Sequence, residues 1–152
     1  MFRAYLCPSC FGLTEIEPQI YLEASDDVAQ ARIHADILQA QRDIEAFFQP
    51  AFSLPTMLIC LTKICQNRLG GSQALGLAYG TVLILISPKG ANRTIITHEL
   101  AHIAMGRQLG SLAMVSGRLP AWFLEGLAVI VSRDARYLIF PAGGYPDVTL
   151  PQ

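Results

Sequence analysis

The spacing of apolar residues changes along this chain, and each change marks an element. Residues 18 to 24, PQIYLEA, alternate Ile20 and Leu22 with Tyr21 and Glu23, the period-two pattern of a short strand with one buried face. From Asp27 the period lengthens. Ile33, Ile37, Ala40, Ile44, Phe47 and Phe48 recur at three-to-four spacing until Pro50, and Asp27 followed by Gln30 resembles a capping box, so a long helix is expected here. PTMLICLT (55 to 62) and TVLILIS (81 to 87) are runs rich in β-branched residues, bounded by Pro and Gly. They read as strands of one sheet under the first helix.

Between those strands, NRLGGSQALGLAYG is rich in glycine and reads as a hairpin-like or irregular loop. It has neither the Lys-Ser/Thr ending of a P-loop nor a GxGxxG, so nothing in it argues for a nucleotide. A second long helix is expected from Asn92, a good N-cap, to Gly110, with Ile95, Ile96, Leu100, Ile103 and Ala104 on its apolar face. A third starts at Pro120 and covers PAWFLEGLAVIVSRD. The segment RYLIFPAGGYPDVTLPQ begins strand-like and then loses periodicity, which leaves 140–152 as an irregular C-terminal tail.

Composition narrows the partners. At 152 residues with 52% hydrophobic and 15% charged residues, the chain reads as one ordered domain spanning 1–152. A formal net charge of −1 without a basic block gives no electrostatic case for nucleic acid. The longest uncharged stretch, Leu69 to Pro88, is broken by glycines and by Ser72 and Gln73, so a strand pair with loops fits it better than an integral membrane span. No secretory signal is visible, which makes a cytoplasmic location the default. A periplasmic or membrane-anchored one is the alternative if the chain is part of a longer product.

Cys7 with Cys10 and Cys60 with Cys65 form a CxxC and a CxxxxC. Free thiols are the default reading, with a disulfide in one or both pairs or a four-thiolate zinc site as alternatives. A thiol-based function for CPSC would need a reactive thiolate in a thioredoxin-like context.

The candidate chemistry lies in the second helix. His98 and His102 are four residues apart in HELAH, so on a helix they lie about 40° apart around the axis and can reach one metal ion. Glu99 is rotated by about 100° from His98, which lets it flank the metal and take a proton from a water that zinc has acidified. A catalytic zinc site normally has three protein ligands. No histidine follows, and the carboxylates after Glu99 are Glu125, Asp134 and Asp147. Glu125 is the best of them, because a lone charge among Trp122, Phe123, Leu124, Leu127 and Val129 is costly unless it is paired or metal-bound.

HELAH at 98 to 102 and PAWFLEGLA at 120 to 128 together resemble the gluzincin metallopeptidases, in which an HExxH helix is followed by a second helix bearing a glutamate ligand. The resemblance covers residues 19 to 133. It implies that His98, His102 and Glu125 hold zinc, that Glu99 is the catalytic base, and that Gly126 and Ala128 let the two helices pack closely. TVLILIS would match the strand bordering the substrate cleft. The implied activity is hydrolysis of a peptide bond in a peptide or protein substrate. Little chain follows Glu125, so the match is to a minimal, single-lobe member. The Tyr or His that larger members use to stabilise the oxyanion has Tyr137 as its candidate here and Tyr145 as a second.

The fold expected is α+β: a small mixed or antiparallel sheet, an N-terminal helix across it, and the active-site and glutamate helices on the same side. Other residues have simpler readings. His34 is a solvated or core-edge histidine, Trp122 and Phe123 belong to the core, and Tyr79 packs, with a place facing the site as its alternative. Asp134 is either an acceptor for a ligand histidine or a surface carboxylate beside Arg133 and Arg136. The tail could fold over the cleft, with Tyr145 or Asp147 near the metal, as a self-inhibitory segment. The alternative function is a catalytically inactive zinc-binding domain that serves stability or recruits a partner.

Overall fold

In the computed structural model the described residues are 2–48, 51–71, 73–110, 119–139 and 147–148. Strands β1 (Leu13–Glu17) and β2 (Ile20–Glu23) form an antiparallel hairpin. Helix α2 (Asp27–Phe48), which follows a short α1 (Phe2–Leu6), then carries the chain to β3 (Thr56–Ile59), parallel to β2. Such a parallel pairing requires a crossover of this kind. After α3 (Lys63–Arg68), strands β4 (Gly76–Tyr79) and β5 (Leu83–Ile86) complete a five-stranded sheet in the order β1-β2-β3-β5-β4. β5 is parallel to β3, and β4 runs antiparallel to β5 at the edge. The fold is α+β with a mixed sheet.

Alternation along the strands splits the core in two. Ile20, Leu22, Met57, Ile59, Ile84 and Ile86 face α2 and helix α4 (Arg93–Leu109), and helix α5 (Ala121–Ser132) packs on α4. All three helices therefore share one side of the sheet. Leu13, Leu58, Leu83 and Leu85 face the other way and are covered by Ala4, Cys65 and Leu69 from the N-terminal segment and α3. With both faces covered, all four residues of β5 are buried, which explains why its sequence shows no alternation.

The helices follow their sequence signals with small corrections. Asp26, not Asp27, caps α2, its Oδ1 accepting the Ala29 N–H at 2.7 Å. Ile33, Ile37, Ala40, Ile44 and Phe48 are buried as expected, whereas Phe47 is half exposed and meets Phe48 edge to face. Asn92 caps α4 through the Ile95 N–H, and Gly110, at φ 81°, ends it. The segment 67–80 is not all loop: it contains the end of α3 and the whole of β4, which with β5 makes the strand pair expected within 69–88. Just before the tail, β6 (Leu138–Ile139) pairs with β7 (Asp147–Val148) within it, so the tail is not wholly irregular. No helix among the described residues is long and apolar enough to cross a membrane.

The cysteines are not free thiols, and they do not gather as a four-thiolate cluster: Cys7 is bonded to Cys10 and Cys60 to Cys65. The physical reason is local. The tight turn at Pro8–Phe11 and the step from β3 into α3 bring the Cα atoms to 5.4 and 5.5 Å, inside bridging range.

That step is also held by Glu23 at the end of β2. Its carboxylate accepts the N–H groups of Leu61 and Thr62, both at 2.7 Å, and the Thr62 hydroxyl at 2.6 Å. Burial alone would raise the Glu23 carboxyl, but these donors outweigh it and the net shift is downward. A depressed carboxylate stabilises the fold above its unfolded pKa of about 4.3, and that contribution fades as pH falls through the folded value. Glu23→Gln is therefore expected to cost about 1–2 kcal/mol at pH 7, with the difference narrowing below pH of about 4. Urea unfolding at several pH values checks this, and a deficit independent of pH would contradict it.

Candidate metal centre

Helices α4 and α5 pack on each other, and Leu100, Ala101 and Ala104 of one share a buried cluster with Ala128 and Val131 of the other, several of them small residues. Gly126 is half-buried. This packing turns Glu125 toward the α4 face that carries His98 and His102. The two histidine Nε2 atoms are 3.2 Å apart, Glu125 Oε2 is 3.4 Å from His98 Nε2, and Glu125 Oε1 is 3.5 Å from His102 Nε2. The three side chains form a group able to hold a metal ion. Hydrogen bonds from His102 and His98 hold the Glu125 carboxyl far below the usual range.

Glu99 lies on the neighbouring face of α4, buried against the edge strand β4. Its carboxylate accepts the backbone N–H of Ala78. At Gly76, two residues earlier on the same strand face, a Cβ would sit 2.5 to 2.8 Å from Glu99 Cγ, Oε1 and Cδ. Glycine is what lets the strand lie this close. Burial pushes the Glu99 carboxyl above its ordinary value, and the opposing pull of His102 and His98 does not cancel it.

One cleft of about 450 Å³ contains the whole constellation. Its walls include His98, Glu99, His102 and Glu125 from the helices, Ala74 to Ala78 from the edge strand and the residues entering it, and Arg136 and Tyr137 from the turn after α5. The strand bordering the site is thus β4, and β5, the strand TVLILIS, lies one place inward. This corrects the sequence expectation.

The turn after α5 begins at Arg133, in the left-handed region at φ 51°, and is tied back by the Asp134 N–H to the Val129 carbonyl and the Tyr137 N–H to the Asp134 carbonyl. It brings Tyr137 into the wall of the cleft. Asp134 is buried, not on the surface, and its carboxylate is taken by the Arg136 guanidinium instead of a ligand histidine. That donation holds the Asp134 carboxyl low despite its burial. His98 Nδ1 is buried with no hydrogen-bond partner among the described residues.

The remaining residues divide. Trp122 and Phe123 are not core: they are 60% and 39% exposed, because α5 meets α4 on its opposite side. Tyr79 packs with the cluster on the far face of the sheet. His34 is half-buried at the edge of α2, beside the Glu17 carboxylate. Asp147 stands in β7, paired in register with Ile139, and Tyr145 lies outside the described residues. Gly76, Ala78 and Arg136 did not emerge from sequence reasoning. A glycine inside the apolar run LGLAY was the available sign of close backbone approach. Compared with protein families, curated proteins and solved structures, the chain matches none of them.

Proposed function

We propose that the protein is a zinc-dependent metallopeptidase of the gluzincin kind. The observation that carries the reading is the convergence of three side chains: the histidine Nε2 atoms lie 3.2 Å apart, and Glu125 sets one oxygen 3.4 Å from His98 Nε2 and the other 3.5 Å from His102 Nε2. Zinc bonds of about 2.0–2.2 Å to nitrogen and oxygen place two corners of a tetrahedron about 3.3–3.6 Å apart, and each of these pairwise separations is close to that spacing. A fourth corner toward the cleft would be left for water or substrate, as catalytic sites require.

In this reading His98, His102 and Glu125 hold the ion. Zinc, when bound, polarises a carbonyl oxygen and lowers the pKa of a water to about 7. Glu99, held by the Ala78 N–H, accepts the proton of the attacking water and passes it to the leaving amine. Its buried setting, which pushes its carboxyl upward, suits that exchange, since a base works best with a pKa near the working pH. Tyr137, in the cleft wall, is the group offered for the negative charge that develops on the carbonyl oxygen. Two disulfides favour an oxidising compartment over a reducing cytosol.

The zinc-loaded protein is expected to cleave unstructured peptides, with activity abolished by 1,10-phenanthroline and restored by added zinc. Peptide digestion followed by mass spectrometry reads this directly. Tight zinc binding with no cleavage of any peptide would favour the alternative, an inactive zinc-binding domain.

A further inference from the structure

We infer that Arg136 is a carboxylate anchor in the cleft wall, selecting substrates with a free carboxylate at the peptide C-terminus or on an acidic side chain. The inference rests on the peptidase reading only in taking the cleft as the substrate site. Among the described residues, Arg136 is the only Lys or Arg lining that cleft, whose other charged residues are Glu99 and Glu125. An arriving carboxylate therefore has one fixed side-chain cation to meet apart from the metal.

The guanidinium is fixed on two sides. Nε and Nη2 donate to Asp134, which is 2% exposed, and the guanidinium carbon lies 5.3 Å from the centre of the Tyr137 ring. Holding the plane in this way removes much of the entropy that a free arginine would lose on binding. Nη1 makes no hydrogen bond among the described residues, and the side chain is 49% exposed. The planar donor fork matches a carboxylate.

The Asp134–Arg136 pair could instead serve only to close the turn after α5. That turn, however, already has backbone bonds of its own: the Asp134 N–H to the Val129 carbonyl, the Tyr137 N–H to the Asp134 carbonyl, and the Arg136 N–H to Asp134 Oδ1. None of these uses the guanidinium.

The test is calorimetric binding to the zinc-loaded full chain carrying Glu99→Gln, which blocks turnover. The probes are N-acetyl-Ala-Leu-Ala as the free acid, the same peptide as its amide, and N-acetyl-Ala-Leu-Glu amide. At least one acid is expected to bind about tenfold or more tighter than the plain amide, and which one identifies the source of the carboxylate. Adding Arg136→Gln should shrink that preference to about twofold or less. Equal binding of all three probes, no binding of any, or a preference that survives Arg136→Gln because the metal takes the carboxylate, would overturn the inference.

If Arg136→Gln fails to fold, Arg136→Lys keeps a cation beside Asp134 without the planar fork and should still cut the preference severalfold. An unchanged ratio there would overturn it equally. Hydrolysis of the same peptides by the wild type reports separately on the peptidase reading. Acid preference without cleavage would sink that reading alone, and cleavage without acid preference would sink this inference alone.

Discussion

Glu99→Gln is expected to leave the metal in place and remove turnover. Glutamine has the size of glutamate and can still accept the Ala78 N–H, so the contact between α4 and β4 should persist. It cannot take up a proton. General acid–base catalysis by one group contributes about 10²–10⁴-fold, so kcat should fall by about 10³ while zinc content stays near that of the wild type. Steady-state kinetics beside elemental analysis separates the two effects. Normal turnover in this variant would remove Glu99 from the mechanism, and loss of zinc would recast it as a group needed to hold the site.

The second large effect is expected at Gly76. Its missing Cβ leaves room for Glu99 Cγ, Cδ and Oε1, which would otherwise be 2.5 to 2.8 Å away. In Gly76→Ala either β4 moves outward or the Glu99 side chain swings aside, and either change displaces the proposed base from the cleft. Misplacement of a catalytic group by about 1 Å can cost about 100-fold, so kcat should drop by roughly that factor, with zinc retained because the atoms nearest the added methyl all belong to Glu99 and not to a ligand. Overpacking of this kind also costs about 1–3 kcal/mol of stability. The conflict is pairwise, so in a Glu99→Ala background the same substitution should cost little. A stability loss that is identical in both backgrounds would show that the methyl group meets something other than Glu99.

The long helices were legible because their signals are local. Asn92 and Gly110 bracket α4, and the buried spacing from Ile33 to Phe48 defines α2 without reference to anything distant. The candidate metal group was legible for a related reason. Two histidines four apart share a helix face whatever surrounds them, and a glutamate alone in an apolar helix asks for a partner.

The parts set by distant packing were not legible. All four residues of β4 are half-buried, so no alternation announces the strand, and its place at the sheet edge is fixed by pairing with β5 and by contact with Glu99. β1 is largely polar and owes its conformation to the hairpin with β2. Trp122 and Phe123 carry the apolar signal of a core, yet α5 offers Ala128 and Val131 to its neighbour instead. Arg136 reaches the cleft only because the chain turns at Arg133, and a non-glycine residue at positive φ leaves no clear mark in the sequence.

The measurement that bears most directly on the central claim is the metal content of the purified protein, compared with His98→Ala and Glu125→Ala. About one zinc per chain in the wild type, lost in both variants, is the expected result for a three-ligand site. A wild type that takes up no zinc, or one whose zinc survives both substitutions, would contradict it.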